Sequence, residues 1–178
     1  GYVHNMQIAH RDIKHENILL STSSRESMVA KLCDFGVAKY VCPGGSCKTV
    51  CGTPSYLAPE IVVILRHRDP TSVPGYNQRI DLWSLGVALC VVLWAEEPFG
   101  QTLVFDNILL GRGHFDAEAT WSSIDYITNP VVQRLLRNDP GARMSALEAV
   151  EFLDIEWPLA DQACSTKRQQ VSAHMYDF

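Results

Sequence analysis

His10-Arg11-Asp12-Ile13-Lys14-His15-Glu16-Asn17, then Asp34-Phe35-Gly36, then Gly52-Thr53-Pro54-Ser55-Tyr56-Leu57-Ala58-Pro59-Glu60 are the three blocks that decide the fold of this chain. Between the first two, Asn17-Ile18-Leu19-Leu20 and Met28-Val29-Ala30-Lys31-Leu32-Cys33 are short apolar runs separated by the polar stretch Ser21 to Ser27. That pattern predicts two paired strands around a turn. Such a hairpin returns Asp34 to the loop carrying Asp12 and Asn17, although twenty-two positions separate the two aspartates. Residues 40 to 60 hold Pro43, Gly44, Gly45, Gly52, Pro54 and Pro59, a density of helix breakers that predicts a long loop with a task of its own.

Outward from these blocks the chain reads as helical. From Asp81 to Trp94 it is apolar on nearly every side, as in a helix buried at a domain centre. The apolar run Leu82 to Ala95 is fourteen residues, short of the ~20 that cross a bilayer. Thr102 to Leu110, Ile124 to Arg137 and Ser145 to Leu153 show helical spacing, with Val131, Leu135 and Leu136 on one stripe. The first seven residues leave little room for an element. Arg66 to Asn77, with two prolines, three charged residues and His67, reads as an exposed excursion.

The 178 residues are 47% apolar and 20% charged, which fits a globular domain and excludes a disordered or fibrous chain. A net charge of −5 gives no overall basic footprint, so neither nucleic acid nor a membrane surface is an expected partner. Six cysteines, at 33, 42, 47, 51, 90 and 164, form no C-x-x-C pair, and no secretory leader precedes them. Reduced thiols and an intracellular location, cytoplasm or nucleus, are expected. The spacings of Cys42, Cys47 and Cys51 match no zinc pattern.

The three blocks closely resemble the catalytic loop, the metal-binding triplet and the end of the activation segment of eukaryotic serine/threonine protein kinases. The resemblance implies a mainly α fold: the helical C-terminal lobe of a protein kinase over residues 1–160, with a small β-hairpin at the catalytic cleft and a mobile tail over 161–178. It implies ATP and Mg²⁺ as cofactors and protein Ser/Thr hydroxyls as acceptors. Asp12 would accept the hydroxyl proton, Lys14 would place a charge against the transferring phosphoryl, and Asn17 and Asp34 would ligate the metal. Glu16, Leu19 and Cys33 would border the nucleotide or substrate, with Leu19 as the apolar floor beneath adenine. Glu16 would face a basic residue upstream of the acceptor, and Glu96 and Glu97 would add negative potential unless they form a solvated helix end.

The same resemblance gives Arg11 a regulatory part, pairing with a phosphate on Thr49, while Thr53 hydrogen-bonds near Asp12. Ser46 is a weaker acceptor. Five residues would be architectural: His10 packing under Phe35, Glu60 bridged to Arg143, and Asp81 receiving N–H groups from the catalytic loop. His4 and His15 read as surface or packing residues, and Cys33 on its own as a small core residue. Within the family the blocks look most like the calcium/calmodulin-dependent group and its checkpoint-effector kinases with forkhead-associated domains. Two departures are His15, where the family has Pro, and Trp94-Ala95-Glu96-Glu97-Pro98-Phe99 at a Gly-containing turn.

The resemblance spans about residues 1–158 and only the helical lobe. A Gly-rich phosphate loop, a strand lysine and its helix glutamate are all missing from these residues. The N-terminal β lobe is therefore expected to be absent, and the chain alone, a fragment, to be inactive. A truncated or pseudokinase-like scaffold that binds partners without turnover is the alternative. The intact Asp12, Lys14, Asn17 and Asp34 favour the enzyme.

Overall fold

The computed structural model describes residues 1–21, 29–42, 47–113 and 125–154, without the side chains of 125–129. The turn expected over 21–27 lies outside it apart from Ser21, as do Ser46, Cys164 and the tail over 161–178.

A one-turn helix α1 (Tyr2–Asn5) opens the chain where no element was expected. Strand β1 (Ile8–Ala9) follows, and the catalytic-loop block ends in a 3-10 turn, His15–Asn17. The predicted hairpin is present: β2 (Ile18–Leu20) pairs antiparallel with β3 (Ala30–Leu32), in the register Ile18↔Leu32 and Leu20↔Ala30. A second two-stranded pair joins β1 to β4 (Lys39–Tyr40) and closes the segment around the first and second blocks.

Helix α2 (Pro59–Arg66) starts at the end of the third block. Pro59 therefore begins a helix rather than breaking one, because a proline in the first turn gives up an N–H that has no intrahelical partner. The excursion after Arg66 is mostly exposed, with one correction: Tyr76 is 2% exposed, and its N–H bonds the Cys47 carbonyl at 2.8 Å. That bridge pins the activation-segment block to the chain just ahead of the central helix.

The hub is α3 (Ile80–Trp94), which buries nine residues including Asp81, Trp83 and Gly86. Its last turn emerges from the core, with Val92 66% exposed, and Ala95 ends it in the left-handed conformation with its N–H on the Val91 carbonyl. On one side of α3, Trp83 stacks on Phe99 with centroids 5.2 Å apart, beside Val62, Val87 and Ile108. On the other, Leu82 meets Val131, Leu135, Met144 and Ala149. Helices α4 (Val104–Leu110) and α5 (Asp125–Leu135) supply these partners, and residues 146–154 form a further helical stretch. Few strands and a helix-built core make this a mainly α lobe.

Candidate active site

Asp81 organises the site from below. It is 1% exposed, its Oδ2 accepts the backbone N–H of His10 and its Oδ1 that of Arg11, both at 2.8 Å. A buried carboxylate is costly unless its lone pairs are filled, and His4 fills another, its Nε2 lying 2.8 Å from Oδ2. Of the two readings of His4, surface or packing, the structure gives the packing one, its side chain 16% exposed. Its partner is 77 positions away, so no local pattern announced it.

Held this way, the loop turns sharply through Arg11, at φ +71°. Buried His10 donates from Nε2 to the Cys33 carbonyl at 3.0 Å and packs edge-on against Phe35, with centroids 4.7 Å apart. The Cys33 N–H bonds the Asn17 carbonyl at 2.9 Å. These contacts place Asp34 one residue from an anchor on both His10 and Asn17. The expected convergence of the two loops is therefore built from one backbone hydrogen bond and the His10 side chain.

Asp12 sits at the focus. Its Oδ1 accepts the Thr53 hydroxyl at 2.8 Å and the Thr53 N–H at 3.1 Å. Lys14 Nζ lies 3.2 Å from Asp12 Oδ2 and donates to Thr53 Oγ1 at 3.1 Å. Partial burial pushes the Asp12 carboxyl up. The hydrogen bonds from the Thr53 hydroxyl and from Lys14, with the Lys14 charge, outweigh it and hold Asp12 below the ordinary carboxylate range. It is an anion at neutral pH, able to accept a proton and oriented by two neighbours.

Asn17, 8% exposed, donates from Nδ2 to the Asp12 carbonyl at 2.9 Å and to Oδ2 at 3.3 Å. That leaves Oδ1 as its remaining oxygen donor. Asp34, exposed and at φ +61°, accepts the Gly36 N–H at Oδ1. One amide oxygen and one carboxylate are hard donors of the kind Mg²⁺ takes when water and phosphate oxygens complete its octahedron. Among the described residues no three His, Cys, Asp or Glu gather as a metal cage. The donor set suits a cation that arrives with a phosphate substrate.

Arg11 lies on the activation-segment side. Nε donates to the Val37 carbonyl at 2.6 Å, and Nη1 to the Tyr76 hydroxyl at 3.1 Å. That hydroxyl donates in turn to the Thr49 carbonyl at 2.6 Å. The Thr49 side chain is exposed. Tyr76 is thus a site residue that the sequence reading left in a surface excursion.

Leu19 is 55% exposed on β2 rather than in the core, as a surface awaiting a ligand or partner would be. Cys33 is half-buried, its Sγ 3.4 Å from the Asn17 carbonyl, so it borders the site and is no plain core residue. Glu16 and His15 form an exposed pair at 3.1 Å, and His15 Nδ1 lies 2.8 Å from the Tyr56 hydroxyl. Burial, then the charges of Glu16 and Glu97, push the Tyr56 hydroxyl up to about 12. Glu97 is half-buried, whereas Glu96 is exposed.

The protein kinase domain model matches residues 1–153. The human Serine/threonine-protein kinase H1 is 38% identical over 172 residues, covering 94% of this chain and 37% of that kinase. The Phosphorylase b kinase gamma catalytic chain, liver/testis isoform, of Bos taurus is 37% identical over 174 residues, covering 96% of this chain and 41% of that protein. The chain thus spans about two fifths of the length of these relatives.

Proposed function

The chain belongs to the protein kinase domain family, and on that premise we propose that it is the catalytic lobe of a serine/threonine kinase, moving the ATP γ-phosphoryl group to a protein Ser or Thr hydroxyl. The observation that carries the reading is the Asp12 carboxylate, aligned by the Thr53 hydroxyl and Lys14.

In this reading the substrate hydroxyl gives its proton to Asp12 as its oxygen bonds to phosphorus and the bond to the ADP oxygen breaks. Lys14, 3.2 Å from Asp12, holds positive charge where the γ-phosphate oxygens gather negative charge. Asn17 and Asp34 would hold Mg²⁺, which when bound neutralises charge on the β- and γ-phosphates. Leu19 and Cys33 supply an apolar edge for the base. Glu16 and Glu97, both close enough to bias Tyr56, favour a substrate with basic residues near the acceptor. A phosphate on exposed Thr49 would draw the Arg11 guanidinium away from Tyr76, its present partner.

The test joins this chain in cis to a kinase N-terminal lobe and measures Mg²⁺-dependent transfer from ATP to a basic serine peptide. Asp12→Asn lowers turnover about 10²–10⁴-fold, the range for a lost general base. Equal turnover by the variant removes Asp12 from this part. Thr49→Ala abolishes activation by an upstream kinase, and unchanged activation excludes Thr49 as the switch.

A further inference from the structure

We propose that the chain carries a second, basic site that binds a phosphate-bearing ligand in the cavity walled by Arg79, Arg134 and Arg137. None of the cavity's lining residues belongs to the catalytic loop, and its volume is about 460 Å³. Four of the chain's fifteen Lys and Arg residues line it, in a molecule whose net charge is −5.

The four arginines are not equivalent. Arg143 is spent on Glu60, with both guanidinium nitrogens on its carboxylate, so it adds wall and no net charge. Arg79 is anchored through Nη1 on the carbonyls of Pro140, Gly141 and Arg143, which leaves Nε and Nη2 for a ligand. Arg134 is steadied by the Phe152 ring, 4.7 Å beneath its guanidinium carbon. Exposed Arg137 has no side-chain partner among the described residues. Glu148 is the one carboxylate among the lining residues; its Oε2 accepts the Ser145 N–H at 2.6 Å, and its charge acts on Arg79 and offsets part of the positive charge of the site.

Two guanidinium groups are already ordered by their own contacts, so ligand binding has only the exposed Arg137 left to order. Guanidinium forks from two places in the fold, Arg79 at the start of α3 and Arg134 and Arg137 around the end of α5, suit a phosphate better than a carboxylate, because a phosphate offers three or more acceptor oxygens and up to two charges. The ligand is a phosphate group, whether free in solution or carried on a phosphorylated serine.

The test uses calorimetry on the chain at constant ionic strength, with inorganic phosphate and with a phosphoserine peptide and its unphosphorylated form as probes. ATP and catalysis play no part, so its result is independent of the transfer assay. Binding is expected to weaken about tenfold or more in Arg134→Gln/Arg137→Gln and to be unchanged in Arg68→Gln, an exposed arginine outside the cavity. Arg137→Gln alone, at an exposed residue without partners, repeats the test if the double variant is unstable. Binding of both phosphates supports a phosphoprotein site, and binding of inorganic phosphate alone supports a site for free phosphate. No binding of either probe at millimolar concentration, or equal binding by the arginine variants, overturns the proposal.

Discussion

Asp81 shows how one side chain governs a site through its backbone. It holds two consecutive backbone N–H groups of the catalytic loop and the His4 imidazole with one carboxylate. Asp81→Ala leaves buried donors at His10 and Arg11 without an acceptor, and urea unfolding should show a loss of about 3–5 kcal/mol. Asp81→Asn keeps one acceptor oxygen and should lose less; equal losses would mean that the volume of the side chain matters and its acceptors do not. Gly52 acts from the opposite side. At φ +105°, a Cβ there would lie 2.6 Å from the Arg11 carbonyl oxygen. Gly52→Ala therefore has to pull the activation segment off the catalytic loop. The Thr53–Asp12 bonds should break with it, visible as lost transfer in the two-lobe enzyme with little change in the helical core by circular dichroism.

The helices are held by two devices whose signs can be measured separately. Gly86 lies where α3 crosses α5, and an added Cβ would meet Leu136 Cδ2 at 2.9 Å and Leu135 Cβ at 3.0 Å. Alanine at an exposed helical glycine stabilises by about 1 kcal/mol, whereas Gly86→Ala should destabilise by about 1–3 kcal/mol through overpacking. Ser145 and Glu148 cap the 146–154 stretch reciprocally, Ser145 N–H to Glu148 Oε2 and Glu148 N–H to Ser145 Oγ. The Ser145 N–H, then its hydroxyl, hold the Glu148 carboxyl below its ordinary range. A depressed folded pKa gives stability that is present above the unfolded value of about 4.3 and lost as pH falls through the folded one. The melting-point gap between the native chain and Glu148→Gln should therefore be present at pH 7 and close as pH drops below 4. A gap independent of pH would assign the cap to packing. The hairpin and α3 were readable in sequence, because each is a local period or spacing. Helix α2 was hidden by its run Ile61-Val62-Val63-Ile64, whose β-branched residues favour strands, and by Pro59, which signals a break or a first turn with equal force. The Tyr76–Arg11 and His4–Asp81 contacts join residues 65 and 77 apart and have no local signature at all. Asp12, Lys14, Asn17 and Asp34 were legible only through the resemblance; their composition and spacing alone name no reaction.

At the scale of the molecule, the cleft and the base of the lobe are tied by one ion pair. Arg143 donates from Nη1 and Nη2 to the two Glu60 oxygens at 2.8 and 2.9 Å, and its guanidinium packs over Trp83, 5.3 Å from the ring centroid. Glu60 lies in the first turn of α2 and is the last residue of the block that carries Thr53 to Asp12, so the pair fixes the height of the activation segment above the helices. The same guanidinium also serves the carbonyls of Arg137, Arg79 and Asn138. Removing either partner strands the other: Arg143→Ala should cost about 3–5 kcal/mol, and Glu60→Ala leaves the fully buried guanidinium without its counter-charge. Because each single change already forfeits the pair, the double variant should cost less than the sum of the two, by more than about 1 kcal/mol. It should still not return to native stability, since three carbonyls lose a shared donor whichever way the charge is cancelled. Urea unfolding of the four proteins measures both quantities. Additive losses would show that α2 is held by its apolar face, with Ile61, Val62 and Ile64 fixing the activation segment and the ion pair contributing only its separate hydrogen bonds.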